Sequence, residues 1–422
     1  MGRTRELRRV WWERPGLEVR AGRLTIAGRD AEAIAREHGT PAFAHDLTRV
    51  EEQARALQAA FAGAGLDGRV RLALKAQRAP EVFAALRSLG EPGSPTSVGM
   101  DVCSPREIAW ALAHGWEPRE ISYTGTNLSD RDVRAIVAHD GVHLNVDLLT
   151  QLDRVGRAAP GRTIGIRVNP RGGAGFEGGE HTLYSGPRPT KFGIYPERLD
   201  EALAIAARHD LTIDTVHCHV GDGYLNEGLP VFDTVIGRVA EMTRHLQERG
   251  CPIHEVNTGG GLGVPQRAGD EPLDLDAWAA ILAKHLGPLG VAVGTEPGDF
   301  LVKECATLLA EVVTVEDRDG VRFVGLDVGW NAAGEHFVYG SPVDVVLCRA
   351  ADAPPTGVVT FAGHINEGDD LYGEDVPFPD VVEGDVVALL NLGSYNASMG
   401  SEHCLREPAG SVFFADRVTG AG

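Results

Sequence analysis

Four strand-like segments end in residues whose types could do chemistry. VRLALKA carries Lys75, HCHVG carries His219, VNT runs into Gly259-Gly260-Gly261, and a short Val/Ala run ends at Glu296 of EPG. A buried lysine at a strand end is costly unless it is paired or used. Desolvation lowers its pKa and makes it an imine-forming amine toward carbonyls. A glycine run after a strand lets backbone N–H groups approach a phosphate. A histidine there can stack on a flat ring, and a carboxylate can keep a ring nitrogen protonated. Each residue alone has a plainer reading. Lys75 pairs with Asp101, the glycines make a turn, His219 is a satisfied core histidine, and Glu296 is an ordinary ion-pair partner. Together they match the needs of pyridoxal phosphate, which works as an electron sink only with an acidic partner at its ring nitrogen.

These residues need a scaffold that gathers strand ends at one rim. From about residue 40 to 300, short Val/Ile-rich runs alternate with Ala/Leu/Arg/Glu stretches at helical spacing. The strands are expected at 70–76, 98–103, 121–124, 142–146, 163–169, 213–220, 255–257 and 291–296. Eight strand–helix units in that span match a (β/α)8 barrel, whose chemistry sits at the C-terminal strand ends. A doubly wound sheet shares the alternation, so the count carries the choice. After residue 300 the texture becomes strand-like, with TLLAEVVTVED, GVRFVGLDV, GVVTFAG and AGSVFFAD. The expected fold class is therefore α/β plus all-β. Residues 40–300 form the barrel, and 1–39 with 301–422 form a β domain built from both chain ends. The head, LEVRAGRLTIAG, reads as a hairpin able to join it.

The motifs LALKAQ (Lys75), DVCSPREI (Asp101, Glu107), IRVNP (Arg167), TKFGI (Lys191), HCHVG (His219), NTGGGLG, EPG (Glu296) and GSYNASM (Tyr395) stand in this order along most of the chain. In this order they resemble the diaminopimelate/ornithine decarboxylase group of pyridoxal-phosphate enzymes, on an alanine-racemase-type barrel. The resemblance implies amino-acid decarboxylation. Lys75 is then the cofactor-bound lysine, Glu296 the partner of the ring nitrogen and His219 the ring stacker. Gly260, Gly261 and Tyr395 are phosphate contacts, and Asp101 and Arg167 position lysine and ring. It also implies a homodimer with shared sites, Lys191 pairing across it with Asp370. A racemase or epimerase on the same fold, or an inactive homologue that binds a partner, are the alternatives.

Departures from the group's pattern concern the substrate and the proton. EPGR becomes EPGD, with Asp299 in place of arginine, and Asp222 replaces a serine. The segment that supplies an acidic cysteine reads Asn366-Glu367-Gly368-Asp369-Asp370. His364, Glu367 or a water is then left to protonate the product carbon. The segment whose arginine binds a distal carboxylate reads GEHFVY, with Glu335 at the matching place and Tyr339 retained. A carboxylate cannot pair with a carboxylate. The expected substrate is an amino acid, free or carrier-tethered, other than meso-diaminopimelate, with Asp299, Glu335 and Tyr339 around it.

Composition excludes several other classes. The 422 residues carry 40 Lys+Arg against 60 Asp+Glu, a formal net charge of −20, which opposes general binding to nucleic acid or anionic membrane. No apolar run is long enough to span a bilayer, and the basic start MGRTRELRRVWWERPG has no apolar stretch behind it. Six singly scattered cysteines suit neither a disulfide scaffold nor a zinc ribbon. A cytoplasmic protein is expected. Gly173-x-Gly175-x-x-Gly178 is followed by no helical pattern, so it fails as a dinucleotide loop. His217 and His219 lack a third metal ligand at a standard spacing, so no metal is expected.

Overall fold

Eight strands pair in parallel, in chain order, and close into a barrel. They are β1 Gly68–Ala73, β2 Val98–Val102, β3 Ile121–Gly125, β4 His143–Val146, β5 Thr163–Arg167, β6 Thr212–His217, β7 Glu255–Asn257 and β8 Ala292–Thr295. The computed structural model describes residues 10–175 and 188–418. The basic start through Arg9 and residues 176–187 of the glycine-rich excursion, Gly178 included, lie outside the described residues. Helices follow the first seven strands: Pro80–Arg87, Pro105–Ala113, Asp130–Val137, Leu149–Ala158, Leu199–Arg208, Leu229–Glu248 and Leu275–Leu286. Side chains at the helix starts set where they begin. The Ser104 hydroxyl accepts the Glu107 N–H at 3.2 Å just ahead of Pro105, and Ser129 and Asp132 form a capping box.

Alternation along the strands divides the barrel into an apolar outside and a polar inside. Val70, Leu72, Met100, Val102, Leu144, Ile164, Ile166, Val216, Val256 and Val293 are buried, as suits side chains under a layer of helices. The alternate positions meet across the barrel instead. Arg71 on β1 grips Glu255 on β7 through two bonds, Nη1 to Oε1 at 2.6 Å and Nη2 to Oε2 at 3.1 Å. Gly294 makes room for that pair. A Cβ there would lie 2.7 Å from Glu255 Oε1 and 2.8 Å from Arg71 Nη1. Among the described residues no helix is long and apolar enough to cross a membrane.

The second compact unit comprises the described residues up to Val50, Pro265–Glu271 and those from Val302 onward; the barrel unit spans 51–264 and 272–301. The expected boundary at residue 40 thus moves to 50. The reason is the strand Ala42–Asp46, buried at all five positions, which pairs antiparallel with Ala306–Arg318 and parallel with Gly410–Phe414. Such a short run, buried on both faces, has no period-two signature. The long strand Ala306–Arg318 also pairs with Val321–Leu326 and Val386–Leu389 inside an eight-stranded sheet. The head hairpin, Leu17–Arg20 with Arg23–Ile26, forms a three-stranded sheet of its own. It joins the unit through a shared core of Trp12, Leu24 and Ile26 with Leu309, Ala388 and Phe414.

His45 in that unit is buried, stacks on Phe413 at 4.4 Å between ring centroids, and has Cys305 Sγ 3.9 Å from Nδ1. Its Nε2 has no hydrogen-bond partner among the described residues. Burial pushes its pKa down to about 3. The unfolded chain therefore takes up a proton near pH 6.5 that the folded chain refuses until about pH 3. Stability is full above that window and falls by roughly 1.4 kcal/mol per pH unit within it. Thermal melts of His45→Gln against wild type from pH 7 to 4 should show a shallower acid limb in the variant; parallel limbs would refute this.

Candidate active site

The C-terminal rim of the barrel gathers four elements. Lys75 lies two residues past β1, in a turn closed by the Leu74 N–H on the Asp101 carbonyl at 2.9 Å and the Ala76 N–H on the Ala73 carbonyl at 2.9 Å. The side chain of Gln77 holds the next step, accepting from the Arg78 and Ala79 N–H groups at 2.9 and 3.0 Å. Contrary to expectation, Lys75 is exposed rather than buried. Its charge does reach the site, because it bears on Asp101, Cys103 and His219.

Glu296 is buried just past β8 and accepts three hydrogen bonds. His217 Nε2 donates to Oε2 at 2.9 Å, Ser122 Oγ donates to Oε1 at 3.1 Å, and Asn257 Nδ2 also donates to Oε1. Burial opposes the charge, but His217, Arg71 and Asn257 outweigh it and hold this carboxyl down at about 2. Asp101, on β2, goes the other way. Burial first, then the negative charge of Glu296, pushes it well above the ordinary carboxyl range. One oxygen, Oδ1, is buried with no hydrogen-bond partner among the described residues. Two acids in one barrel end are thus shifted in opposite directions.

The glycine run brings strand ends together. Gly259 N–H donates to Asn257 Oδ1 at 3.0 Å, and Gly259's carbonyl accepts the Glu296 N–H at 2.7 Å. A Cβ on Gly260 would lie 2.5 Å from the Glu296 carbonyl oxygen. The Gly260 N–H donates to His219 Nδ1 at 3.1 Å. Its expected use on a phosphate is therefore taken here by the histidine, which leaves that part of the expectation to Gly261. His219 is half-buried. Burial, then the positive charges of Arg167 and Lys75, push its pKa well below the ordinary value, so the ring is neutral. Arg167 is buried, 3.7 Å from Asp147 and 4.4 Å above the Phe192 ring.

Outside the rim, Lys191 is exposed, with its Nζ 5.0 Å from the Phe192 ring centroid. Asp299 is buried at the first position of the short helix Asp299–Val302. The remaining expected residues belong to the β unit. Asp370 is buried and both its oxygens are engaged, by the Trp330 N–H at 2.8 Å and the Ile365 N–H at 2.7 Å. Each oxygen keeps a lone pair beyond its one backbone donor. Glu335 is not an open acidic contact. It is buried in an ion pair with Lys303 and accepts from Ser341 Oγ and Asn396 Nδ2, each at 3.3 Å. Asn396 also bonds the Ser394 carbonyl at 2.7 Å, bracketing Tyr395 at φ 54°, an uncommon conformation for a side-chain-bearing residue. Tyr395 packs edge-on against Tyr339 at 6.3 Å. In the 363–370 loop, Asn366 is exposed, Glu367 is bonded to His403 at 3.0 Å, and Arg406 clamps the carbonyl of half-buried His364 at 3.0 Å. Burial pushes His364 below its ordinary pKa.

Ser122, Asn257, Asn396 and Lys303 were not among the expected site residues, and His217 was considered only as a metal ligand. Polar residues at alternate positions of otherwise apolar strands were the available signal for the first two and for His217. Nothing near Lys303 in the sequence marks it as Glu335's partner.

Comparison with known proteins places the chain in a family. The family model described as pyridoxal-dependent decarboxylase, pyridoxal binding domain, matches residues 47–303. The diaminopimelate decarboxylase of Methanothermobacter thermautotrophicus is 34% identical over 403 residues, covering 92% of this chain and 90% of the relative. That of Streptomyces coelicolor is 32% identical, covering 90% and 85%. Diaminopimelate decarboxylase from Helicobacter pylori, solved with L-lysine, shares the fold at TM-score 0.82 and 24% identity, covering 91% of this chain and 93% of that one. The chain belongs to the pyridoxal-dependent decarboxylases. It is a carboxy-lyase, and its cofactor is pyridoxal phosphate. The residues present fit that group: an exposed amine at Lys75, an ionised buried carboxylate at Glu296, a neutral ring at His219 and a glycine run too tight for any Cβ.

The Lys303–Glu335 pair yields a prediction of its own. Removing one partner strands a buried charge, at a cost of roughly 3–5 kcal/mol, whereas replacing both by apolar groups is far milder. Denaturant titration should find Lys303→Met strongly destabilised and Lys303→Met/Glu335→Leu largely recovered. Equal losses in both variants would exclude the pairing.

Proposed function

We propose that this chain decarboxylates an α-amino acid whose distal group is neutral or cationic rather than a carboxylate. The observation that carries the chemistry is the ionised Glu296 facing the barrel rim on which Lys75 stands. Pyridoxal phosphate, when bound, supplies the aldehyde that captures the substrate amine and the ring that accepts the electrons released with CO2.

The chain's own groups supply the rest. Lys75 would hold the cofactor, and its Nζ, once released, is free to carry a proton. Glu296 would accept the ring N–H without taking its proton, because it stays ionised. His219 would lay a neutral ring against the cofactor, and Arg167 would sit beside it. Gly261 and Tyr395 are proposed for the phosphate. For the proton delivered to the product carbon, the 363–370 loop offers little. Asn366 has no acidic hydrogen and Glu367 is bound to His403. Burial and the charge of Glu296 push the Asp101 carboxyl up, and it lies in electrostatic reach of Lys75. We assign the proton supply to Asp101, passed through Lys75.

The substrate reading rests on Glu335. Paired with Lys303, it offers no guanidinium for a second carboxylate. The second reading, meso-diaminopimelate, is favoured by what the relatives are named.

Three measurements test this. Borohydride-reduced holoenzyme should carry pyridoxyl mass on the peptide containing Lys75, and Lys75→Ala should lower CO2 release by at least about a thousandfold; an unmodified peptide ends the reading. Asp101→Asn should keep its cofactor yet lose about a hundredfold in kcat, with His364→Ala losing less than about threefold. The reverse order would move the proton to the loop. In a panel of free and carrier-tethered amino acids, preference for meso-diaminopimelate over basic or amide-bearing substrates would overturn the substrate assignment.

A further inference from the structure

We propose that His217 is a positioning residue for the reaction, fixing which oxygen of Glu296 meets the cofactor ring nitrogen and keeping that oxygen charged. The inference rests on the reading of Glu296 given above. The side chains of His217 and Glu296 are 3% and 4% exposed, so neither exchanges its partner for water.

The polarity around Glu296 is determined bond by bond. Asn145 Nδ2 donates to Ser122 Oγ at 3.0 Å and to Thr124 Oγ1 at 3.0 Å, which fixes its amide. Ser122, already accepting, then turns its hydroxyl hydrogen to Glu296 Oε1. Asn257 Oδ1 accepts the Gly259 N–H at 3.0 Å, so its Nδ2 is the end that faces Oε1. Oε1 therefore receives two donors and is saturated. Oε2 receives one, from His217 Nε2 at 2.9 Å, and keeps its second lone pair for one more donor. A ring N–H is such a donor. His217 thus does two things: it occupies one side of Oε2 so that the incoming donor has a single approach, and it favours the ionised form that this approach needs.

The arrangement also separates the two histidines of His217-Cys218-His219. The first serves the carboxylate and the second accepts from Gly260 N–H. The two histidines, two residues apart, thus have separate partners.

The test is a binding ratio on cofactor-free protein, which does not depend on turnover. Affinities are measured for pyridoxal phosphate and for its analogue with C–H in place of the ring nitrogen. Wild type should prefer the nitrogen-containing ring by about tenfold or more, as a charge-assisted bond requires. His217→Phe should bring the ratio within about threefold of unity, and His217→Gln, whose amide keeps a donor, should restore most of it. If His217→Phe does not fold, His217→Asn, too short to reach Oε2, takes its place. A wild-type ratio in His217→Phe, or in His217→Asn where it stands in, overturns the inference, provided that Glu296→Gln abolishes the preference. If Glu296→Gln leaves the ratio unchanged, the reading of Glu296 itself fails, and the role of His217 fails with it.

Discussion

A negative charge held inside a barrel sets the terms for everything around it. Glu296 sits where water is excluded, so its three donors must come from the protein, and each must be aimed. Those donors stand on β3, β6 and β7, which places polar side chains at inward positions of strands whose outward positions are apolar. A barrel packed with Val and Leu on both faces would be easier to stabilise but could not keep this carboxylate ionised. The same logic reappears at the level of β1 and β7, where Arg71 and Glu255 are paired bidentately in the space left by Gly294.

Opposite pKa shifts in two neighbouring acids are the second product of that constraint. Glu296 is held low because donors converge on it, and Asp101 is pushed up because it stands buried in the field of Glu296. No residue of unusual type is required. Position relative to the donors decides which carboxyl is held below the ordinary range and which is pushed above it.

Much of the barrel was legible because strand burial leaves a strong mark. Val98–Val102 and Glu255–Asn257 lie where Val/Ile patterning puts them, and Gly260 and Glu296 fall at the rim as expected. The strand Ala42–Asp46 was missed, because five consecutive buried residues carry no alternation, and it moved the domain boundary with it. Lys75 was placed at the right rim with the wrong exposure, since it stands in the turn after the strand rather than in it. Glu335 and Asp370 show the larger difficulty. Each carboxylate was read by its charge, whereas its partners, Lys303 in one case and the N–H groups of Trp330 and Ile365 in the other, are distant in sequence or belong to the backbone.

The buried Lys303–Glu335 pair also constrains how this chain could change. Arginine introduced at 335 alone would face the ammonium of Lys303 with no water between them to absorb the repulsion. A change of charge at 335 must therefore alter both positions together, and Asn396, which grips Glu335 and brackets Tyr395, would have to be accommodated in the same move. A single-residue graft from a relative at position 335 therefore carries the cost of a core substitution.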